Sequence, residues 1–152
     1  MPGSGPAAEA RLAPTRGSTT DGSVRFTQEG DKVRVSGSIR GLKPNAEHGF
    51  HVHEKGDCSS GDGMSAAGHF NPTGAPHGQA GQAPHHAGDL PSLKADGNGT
   101  ARVDALVSGV TVAPGANSVV GRGLIVHRDP DDYRTQPTGN AGPRLACAVI
   151  GS

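Results

Sequence analysis

Short stretches of alternating hydrophobic and polar residues recur along the chain. The alternation is clearest over residues 23–28 and 32–39, on either side of Glu29, Gly30 and Asp31. Successive side chains of a strand point to opposite faces, so a period of two predicts strands with one buried face. The two runs are therefore predicted to form a β-hairpin.

Further apolar runs predict the remaining strands. A first, edge strand is expected over residues 8–13, and others over 48–53, 92–95, 100–106, 123–127 and 145–150. Segments rich in Gly and Pro separate these runs, and no long stretch has the period of an amphipathic helix. Many short strands joined by such turns are typical of an all-β sandwich or barrel.

Two long polar segments interrupt the strand pattern. Residues 54–91 contain no periodic element, and residues 128–142 form a second polar loop. A structureless segment as long as the first is uncommon in a small domain unless it has a function or binds a metal. Four histidines lie in it, namely His69, His77, His85 and His86. The first loop is therefore predicted to be organised by metal binding.

The composition indicates a thin hydrophobic core. Of the 152 residues, 25 are Gly and 12 are Pro, whereas aromatic residues make up only 3%. A core of this kind usually needs covalent or metal cross-links. A disulfide between Cys58 and Cys147 would close a long loop and stabilise the fold by about 4–5 kcal/mol in the chain-entropy model. It would also indicate an oxidising compartment, whereas two reduced, buried cysteines are the cytosolic alternative.

Length and charge exclude several classes of function. The 14 basic and 14 acidic residues balance to a formal net charge of zero, which argues against nucleic-acid and membrane partners. No apolar run is long enough to span a bilayer. The length suits a single domain. Residues 1–7 are expected to be a disordered lead without a signal-peptide pattern, followed by one domain over residues 8–152.

The segment His51-Val52-His53 is the clearest indication of a metal site in the sequence. Residues i and i+2 of a strand share a face, so His51 and His53 direct two imidazoles to one point while Val52 faces the other way. His127 ends a distant strand and is a candidate third nitrogen ligand. His69, His77, His86 and Asp89 provide three imidazoles and a carboxylate, a set typical of tetrahedral zinc. The alternative for any one histidine is a surface or hydrogen-bonded side chain.

Several of these segments together resemble the copper/zinc superoxide dismutase family, in its bacterial-type branch. They occur in the family's order and are Gly49–Cys58, Gly68–Pro72, His86–Leu90, Ile125–His127 and Gly139–Cys147. The resemblance covers about residues 8–151. It implies an all-β, Greek-key, eight-stranded β-barrel or sandwich of immunoglobulin-like type with two long functional loops.

The resemblance also implies a site with one copper and one zinc ion per subunit. Copper would be held by His51, His53, His69 and His127, and zinc by His69, His77, His86 and Asp89. His69 would bridge the two ions. His85 lies outside the family pattern, and His48 is expected to make structural hydrogen bonds.

Other residues acquire roles from the same resemblance. Arg144 would attract and hydrogen-bond a small anion at the copper, and Thr138 would line the same channel. Asp131 would link His51 to His77, although Asp129 and Asp132 are nearby competitors. Cys58 would pair with Cys147.

The activity implied is the dismutation of superoxide to oxygen and hydrogen peroxide, an antioxidant oxidoreductase reaction. The runner-up is a metal carrier on the same scaffold, which would be expected to lack a copper ligand or Arg144. A zinc hydrolase is a third possibility, but it needs an open zinc beside a general base. The partner expected is superoxide, and the sequence leaves both a homodimer and a monomer open. The location expected is the periplasm or another exported compartment rather than the cytoplasm.

Overall fold

The chain forms an antiparallel β structure, seen in a computed structural model that describes residues 6–71, 78, 87–131 and 142–151. Its strands are β1 (Ala7–Pro14), β2 (Asp21–Glu29), β3 (Lys32–Arg40), β4 (Glu47–His48), β5 (Phe50–His53), β6 (Leu93–Lys94), β7 (Ala101–Val107), β8 (Gly123–His127) and β9 (Arg144–Val149). The described residues contain one short 3₁₀ turn, Met64–Ala66. None of their helical segments is long and apolar enough to cross a membrane.

Seven of the strands form one curled antiparallel sheet. Their order is β5-β8-β9-β1-β2-β3-β7, and β4 pairs with β6 in a separate two-stranded ribbon. Only Gly49 separates β4 from β5, so counting these two as one strand gives eight strands within the described residues. The predicted all-β barrel class is confirmed.

The hairpin prediction is also confirmed. β2 and β3 pair in register along their whole lengths, with Phe26 opposite Val35, and both side chains are buried. The prediction that the first strand lies at an edge is wrong. β1 pairs with β2 through Ala7–Leu12 and then with β9 through Ala13 and Pro14, so neighbours occupy both of its sides.

The core lies between the two halves of the curled sheet. One half of the sheet contributes Val24, Phe26, Val33 and Val35 to the core cluster. The other half contributes Val52 of β5 and Leu124 and Val126 of β8. Val52 is fully buried there, as the alternation around it predicted. A second, smaller cluster joins Ala66, Ile125 and Cys147, against which Cys58 packs. The segment after Cys58 is therefore attached to the barrel by packing as well as by sulfur.

Candidate metal centre

Four histidines converge at one end of the barrel. His51 and His53 lie on β5, and His127 ends the neighbouring strand β8, which pairs with β5. His69 comes from the loop and lies opposite His53 in an isolated β-bridge. One ring nitrogen from each of the four lies within 4.8 Å of the others, and all four side chains are buried.

The hydrogen bonds of His53 and His127 fix which ring nitrogen carries the proton. Nδ1 of His53 is 2.8 Å from the carbonyl oxygen of Ala67, and Nδ1 of His127 is 3.2 Å from that of Gly142. A carbonyl only accepts, so both Nδ1 atoms donate and both Nε2 atoms carry lone pairs. These two Nε2 atoms are 3.3 Å apart. Two facing lone pairs in a buried site form a donor set that fits a metal ion.

Electrostatics keep these imidazoles neutral. Burial, with a smaller effect from the charge of Arg144, lowers the pKa of His127 to about 4. Burial, with the neighbouring His69 and His127, lowers the pKa of His53 well below its usual value. Neutral imidazole is the form that binds metal, so the site is ready to bind a cation at neutral pH.

His51 is oriented by a buried carboxylate. Its Nε2 lies 2.8 Å from Oδ2 of Asp131, and both side chains are almost completely buried. When Nε2 donates to the carboxylate, the lone pair of the neutral ring is on Nδ1. Such a partner fixes the tautomer and orientation of a ligating imidazole. Of the neighbouring competitors, Asp129 pairs with Arg128 instead, and Asp132 lies outside the described residues.

His69 has a different neighbour at each side of its ring. Its ring stacks on that of His51 with centroids 3.9 Å apart, and its Nδ1 lies 2.9 Å from Oδ1 of Asp89. Oδ2 of Asp89 accepts a hydrogen bond of 3.1 Å from the amide of Gly78. His69 therefore connects the histidine cluster to the carboxylate of the predicted zinc set. The other two residues of that set, His77 and His86, lie outside the described residues, as does His85.

Backbone pairing places these loop residues along the open side of β5. The amide of Phe70 donates to the carbonyl of Val52 at 2.8 Å, and the amide of Val52 donates to the carbonyl of Gly88 at 2.9 Å. A Cβ at Gly88 would collide with the carbonyl of Val52, so glycine permits this close approach. The loop thus extends the sheet by one irregular strand and carries His69 and Asp89 to the site.

Arg144 lies beside the copper-ligand candidates at the start of β9. Nη1 of Arg144 donates a hydrogen bond of 2.7 Å to the carbonyl of Gly63. The side chain is half-buried, and its positive charge acts on the pKa of His53 and of His127. The predicted disulfide is confirmed, since Cys58 is bonded to Cys147. It joins the segment that carries Gly63 to the strand that carries Arg144. Thr138 lies outside the described residues.

Sequence reasoning missed two contacts that hold Arg144. Gly63 has a φ of +81°, and a Cβ there would lie 2.9 Å from Cβ of Arg144. Thr15, directly after β1, donates through Oγ1 to the carbonyl of Arg144 at 2.7 Å. For the contact between Gly63 and Arg144, the signal in the sequence was the pair of closely spaced glycines, Gly61 and Gly63, in a polar loop. The sequence around Thr15 contains no signal for the second.

The fold and the buried histidine cluster define a β-barrel protein with a candidate metal site, and comparison with known proteins identifies its family. The family model for copper/zinc superoxide dismutase matches residues 20–150. A superoxide dismutase [Cu-Zn] of Paramecium bursaria Chlorella virus 1 is 46% identical over 136 residues, which cover 86% of this chain and 72% of that protein. Superoxide dismutase [Cu-Zn] 2 of Aquifex aeolicus is 40% identical over 147 residues, which cover 94% of this chain and 85% of that protein.

A solved structure agrees with these sequence matches. The crystal structure of the clock protein EA4 superposes with a TM-score of 0.87 at 41% identity, covering 95% of this chain and 93% of that one. The chain belongs to the copper/zinc superoxide dismutase family. Its activity is that of the family, the oxidoreductase reaction that dismutes superoxide.

Proposed function

We propose that this chain dismutes superoxide at a copper ion held by His51, His53, His69 and His127, beside a zinc ion held by His69, His77, His86 and Asp89. The observation that carries the proposal is the pair of facing Nε2 atoms of His53 and His127, 3.3 Å apart and buried. Both Nδ1 atoms are committed to carbonyl oxygens, so no proton is available to lie between the Nε2 atoms without charging a buried ring. A bound cation removes this lone-pair conflict.

The copper half of the proposal uses imidazoles that the barrel holds in place. His53 and His127 are fixed through Nδ1 by main-chain carbonyls, and His51 through Nε2 by Asp131. Each of the three rings has a hydrogen-bond partner that orients it, so little ordering entropy remains to be lost when a metal binds. When bound, copper supplies one-electron redox chemistry. Imidazole nitrogens are suitable ligands for copper.

The zinc half connects through His69. Its Nδ1 lies against Asp89, where the zinc would be held, and its ring also belongs to the four-histidine cluster, to which Nε2 would be the ligand. One imidazole placed between two cation sites supports the bridging role assigned to His69. Zinc has no redox chemistry, so in this proposal its function is to order the loop and orient His69. Asp131 would support the same arrangement by linking His51 to His77.

Arg144 is proposed to bind the substrate. A guanidinium stays protonated through the pH range of the reaction and donates several hydrogen bonds, which suits a small anion. Its position beside His127 follows from the pairing of β8 with β9, in which His127 lies opposite Arg144. Two superoxide anions and two protons yield one oxygen and one hydrogen peroxide. In this reaction Arg144 holds the anion, Thr138 lines the approach, and His69 is the group placed to hold and release a proton at Nε2.

The proposal is tested by metal analysis combined with substitutions. His127→Ala should retain zinc and the fold but abolish dismutation, because it removes one copper ligand. His86→Ala should lose zinc, whereas the adjacent substitution His85→Ala is a matched control that should retain both ions. One copper and one zinc per chain are expected in the parent protein.

The metal-carrier alternative makes a different prediction for the same samples. A carrier would bind copper yet consume no superoxide, and full activity in His127→Ala would contradict the copper assignment. The whole proposal would be contradicted if the parent protein, supplied with both metals, bound only zinc and consumed no superoxide.

We also infer an exported location, for example the periplasm. The Cys58–Cys147 disulfide supports it, because structural disulfides persist in oxidising compartments. Fractionation of the source cells tests this location, and recovery of the protein in the cytoplasm with both thiols reduced would contradict it. A homodimer stays a prediction, which sedimentation of the metal-loaded protein would test.

A further inference from the structure

A β-bulge lies next to Arg144 in β9. Val126 of β8 lies opposite Ala146 in the pairing of these two strands. The next residue of β8, His127, lies opposite Arg144 rather than Leu145. One step along β8 therefore corresponds to two steps along β9, and Leu145 is the extra residue. Bulges of this kind change the direction of side chains and are frequent beside active sites.

The bulge determines the face of the sheet on which Arg144 lies. Ala146 and Ala148 belong to the main core cluster, so regular alternation would turn residue 144 toward the core as well. With the extra residue, Arg144 is instead the cross-strand partner of His127, and such partners share a face. The guanidinium accordingly contacts the carbonyl of Gly63 in the disulfide-bonded loop. Arg144 therefore depends on the bulge for its orientation toward the histidine cluster.

Thr15 contacts the two carbonyls of the bulge from the neighbouring strand. β1 pairs with β9 as far as Pro14 and Ala146, and directly beyond this pair the amide of Thr15 donates to the carbonyl of Leu145 at 2.9 Å. The hydroxyl Oγ1 of Thr15 lies 2.7 Å from the carbonyl oxygen of Arg144 and 3.0 Å from that of Leu145. A carbonyl only accepts, so the hydroxyl proton is donated to this pair of oxygens.

The hydroxyl of Thr15 adds a donor that the strand pairing alone does not supply. Leu145 already accepts from the amide of Thr15, so the hydroxyl provides the donor for the carbonyl of Arg144. Its position is well defined, because Thr15 is buried and a β-branched side chain has few χ1 rotamers. Without this donor the peptide plane after Arg144 is less restrained, and a small rotation there displaces the distant guanidinium most.

We propose that Thr15 is a positioning residue, which fixes the β-bulge at Leu145 and thereby directs the guanidinium of Arg144 to the place where the anion binds beside the histidine cluster. The inference rests on the proposed function, because it takes Arg144 as the substrate-binding group. Thr15 acts through the main chain of β9, so copper and zinc binding should not depend on its hydroxyl.

Three substitutions separate this role from a contribution to stability alone. Thr15→Val has nearly the same shape but lacks the donor, whereas Thr15→Ser keeps a hydroxyl. Thr20→Val is the matched control, since Thr20 is 1% exposed and its Oγ1 donates to the carbonyl of Gly41 at 3.0 Å, between the ends of β2 and β3. Each variant is loaded with copper and zinc and titrated with azide, a small monoanion used in place of superoxide, while the absorption of Cu(II) is followed.

We expect Thr15→Val to weaken azide binding by about 10-fold or more, because a misdirected guanidinium loses a hydrogen bond to a charged group. Superoxide consumption at equal metal loading should fall with it. Thr15→Ser should keep the parental azide affinity. Thr20→Val should lower the melting temperature about as much as Thr15→Val does and leave azide affinity unchanged. Copper and zinc affinities should stay parental in all three variants. If Thr15→Val does not fold, Thr15→Ala takes its place, because it also lacks the donor.

Three results would overturn the inference. The first is parental azide affinity in the donor-lacking variant, whatever its melting temperature. The second is a Thr15→Ser variant that binds azide as weakly as Thr15→Val, and the third is an equal loss of azide affinity in Thr20→Val. A failure of the proposed function would look different. The parent protein would then bind no copper at the histidine cluster, or Arg144→Gln would leave azide affinity unchanged.

Discussion

The guanidinium of Arg144 donates a hydrogen bond of 2.7 Å from Nη1 to the carbonyl oxygen of Gly63, 81 positions earlier in the chain. Gly63 has a positive φ, and a Cβ at this position would lie 2.9 Å from Cβ of Arg144, which is closer than ordinary van der Waals contact. The proposed substrate-binding cation is thus held by a main-chain group of the loop that the disulfide attaches to β9. Its position depends on that loop as much as on its own strand.

Gly63→Ala is expected to impair catalysis without removing metal. The new Cβ would lie 2.9 Å from Cβ and 3.0 Å from Cδ of Arg144, so the arginine or the loop must move. The three heavy atoms nearest to this methyl group all belong to Arg144 and none to a proposed metal ligand, so copper and zinc contents should stay at parental values. Superoxide consumption measured at equal metal loading should fall by up to about 100-fold, since misplacing a substrate-binding group by about 1 Å can have a cost of this size.

Gly17→Ala is the matched control for this experiment. Gly17 has nearly the same φ, +82°, but no heavy atom lies within 4 Å of the position that a Cβ would take there. Both variants should lose about 1 kcal/mol of stability from strain in the left-handed region. Only Gly63→Ala should lose activity. Equal activities in the two variants would show that Gly63 does not determine the position of Arg144.

Reduction of the disulfide is expected to lower both stability and activity. The Cys58–Cys147 bond spans 89 positions, and a loop of this size corresponds to about 4–5 kcal/mol in the chain-entropy model. Loosening the segment after Cys58 also frees the carbonyl that holds Arg144. Melting temperature and superoxide consumption are measured with and without reductant, with thiol titration to verify that the bond is broken. An unchanged melting temperature with both thiols free would contradict the structural role of the bond.

The sequence predicted best those features that depend on neighbouring residues. Period-two alternation located β2 and β3, and an apolar run located β8. The alternation of His51, Val52 and His53 placed Val52 in the core. Pairing between distant segments was less accessible. β1 was expected at an edge because nothing in its local pattern indicates that β9 pairs with its last two residues.

The same limit applies to the site. Residue type and spacing identified the histidines, because imidazole is an uncommon and chemically specific side chain. The supports of Arg144 come from Gly63 and from Thr15, which are 81 and 129 positions away. Glycine and threonine are common residues, and their hydrogen bonds here involve main-chain carbonyls. Their roles become visible only when the fold brings the segments together.

Asp131→Asn is expected to weaken copper binding while the barrel stays folded. The carboxylate accepts from Nε2 of His51 at 2.8 Å, which leaves the lone pair of His51 on Nδ1. An amide lacks the negative charge that strengthens this hydrogen bond. Copper affinity, measured by competition with a chelator, should fall by about 10–100-fold.

Asp129→Asn serves as the control for Asp131→Asn. Asp129 pairs with Arg128 on the surface, where the two side chains are 40% and 60% exposed. Exposed pairs contribute little, so this variant should keep parental copper affinity and stability to within about 1 kcal/mol. If both substitutions have the same effect on copper affinity, the His51 contact is not the cause.

The metal-free protein is expected to lose stability as the pH falls from about 6.5 to about 4. Burial lowers the pKa of His127 from 6.5 to about 4, and that of His53 also lies well below its usual value. Between the folded and unfolded pKa values the unfolded chain binds more protons, so stability increases with pH in this window. Each such histidine contributes a slope of up to about 1.4 kcal/mol per pH unit.

Denaturant unfolding of the metal-free protein at several pH values measures this slope. Lowered carboxyl pKa values, such as those of Asp57, Asp62 and Asp96, start below an ordinary value of 3.8, so most of their contribution lies at lower pH. His127→Gln removes one of the two titrating imidazoles and should reduce the slope between pH 4 and 6.5 by about half. The stability contribution of neutral histidine is fully present above pH 6.5 and disappears as the pH falls through the folded value. A metal-free protein whose unfolding free energy stays constant across this window would show that these rings can be protonated in the folded state without penalty.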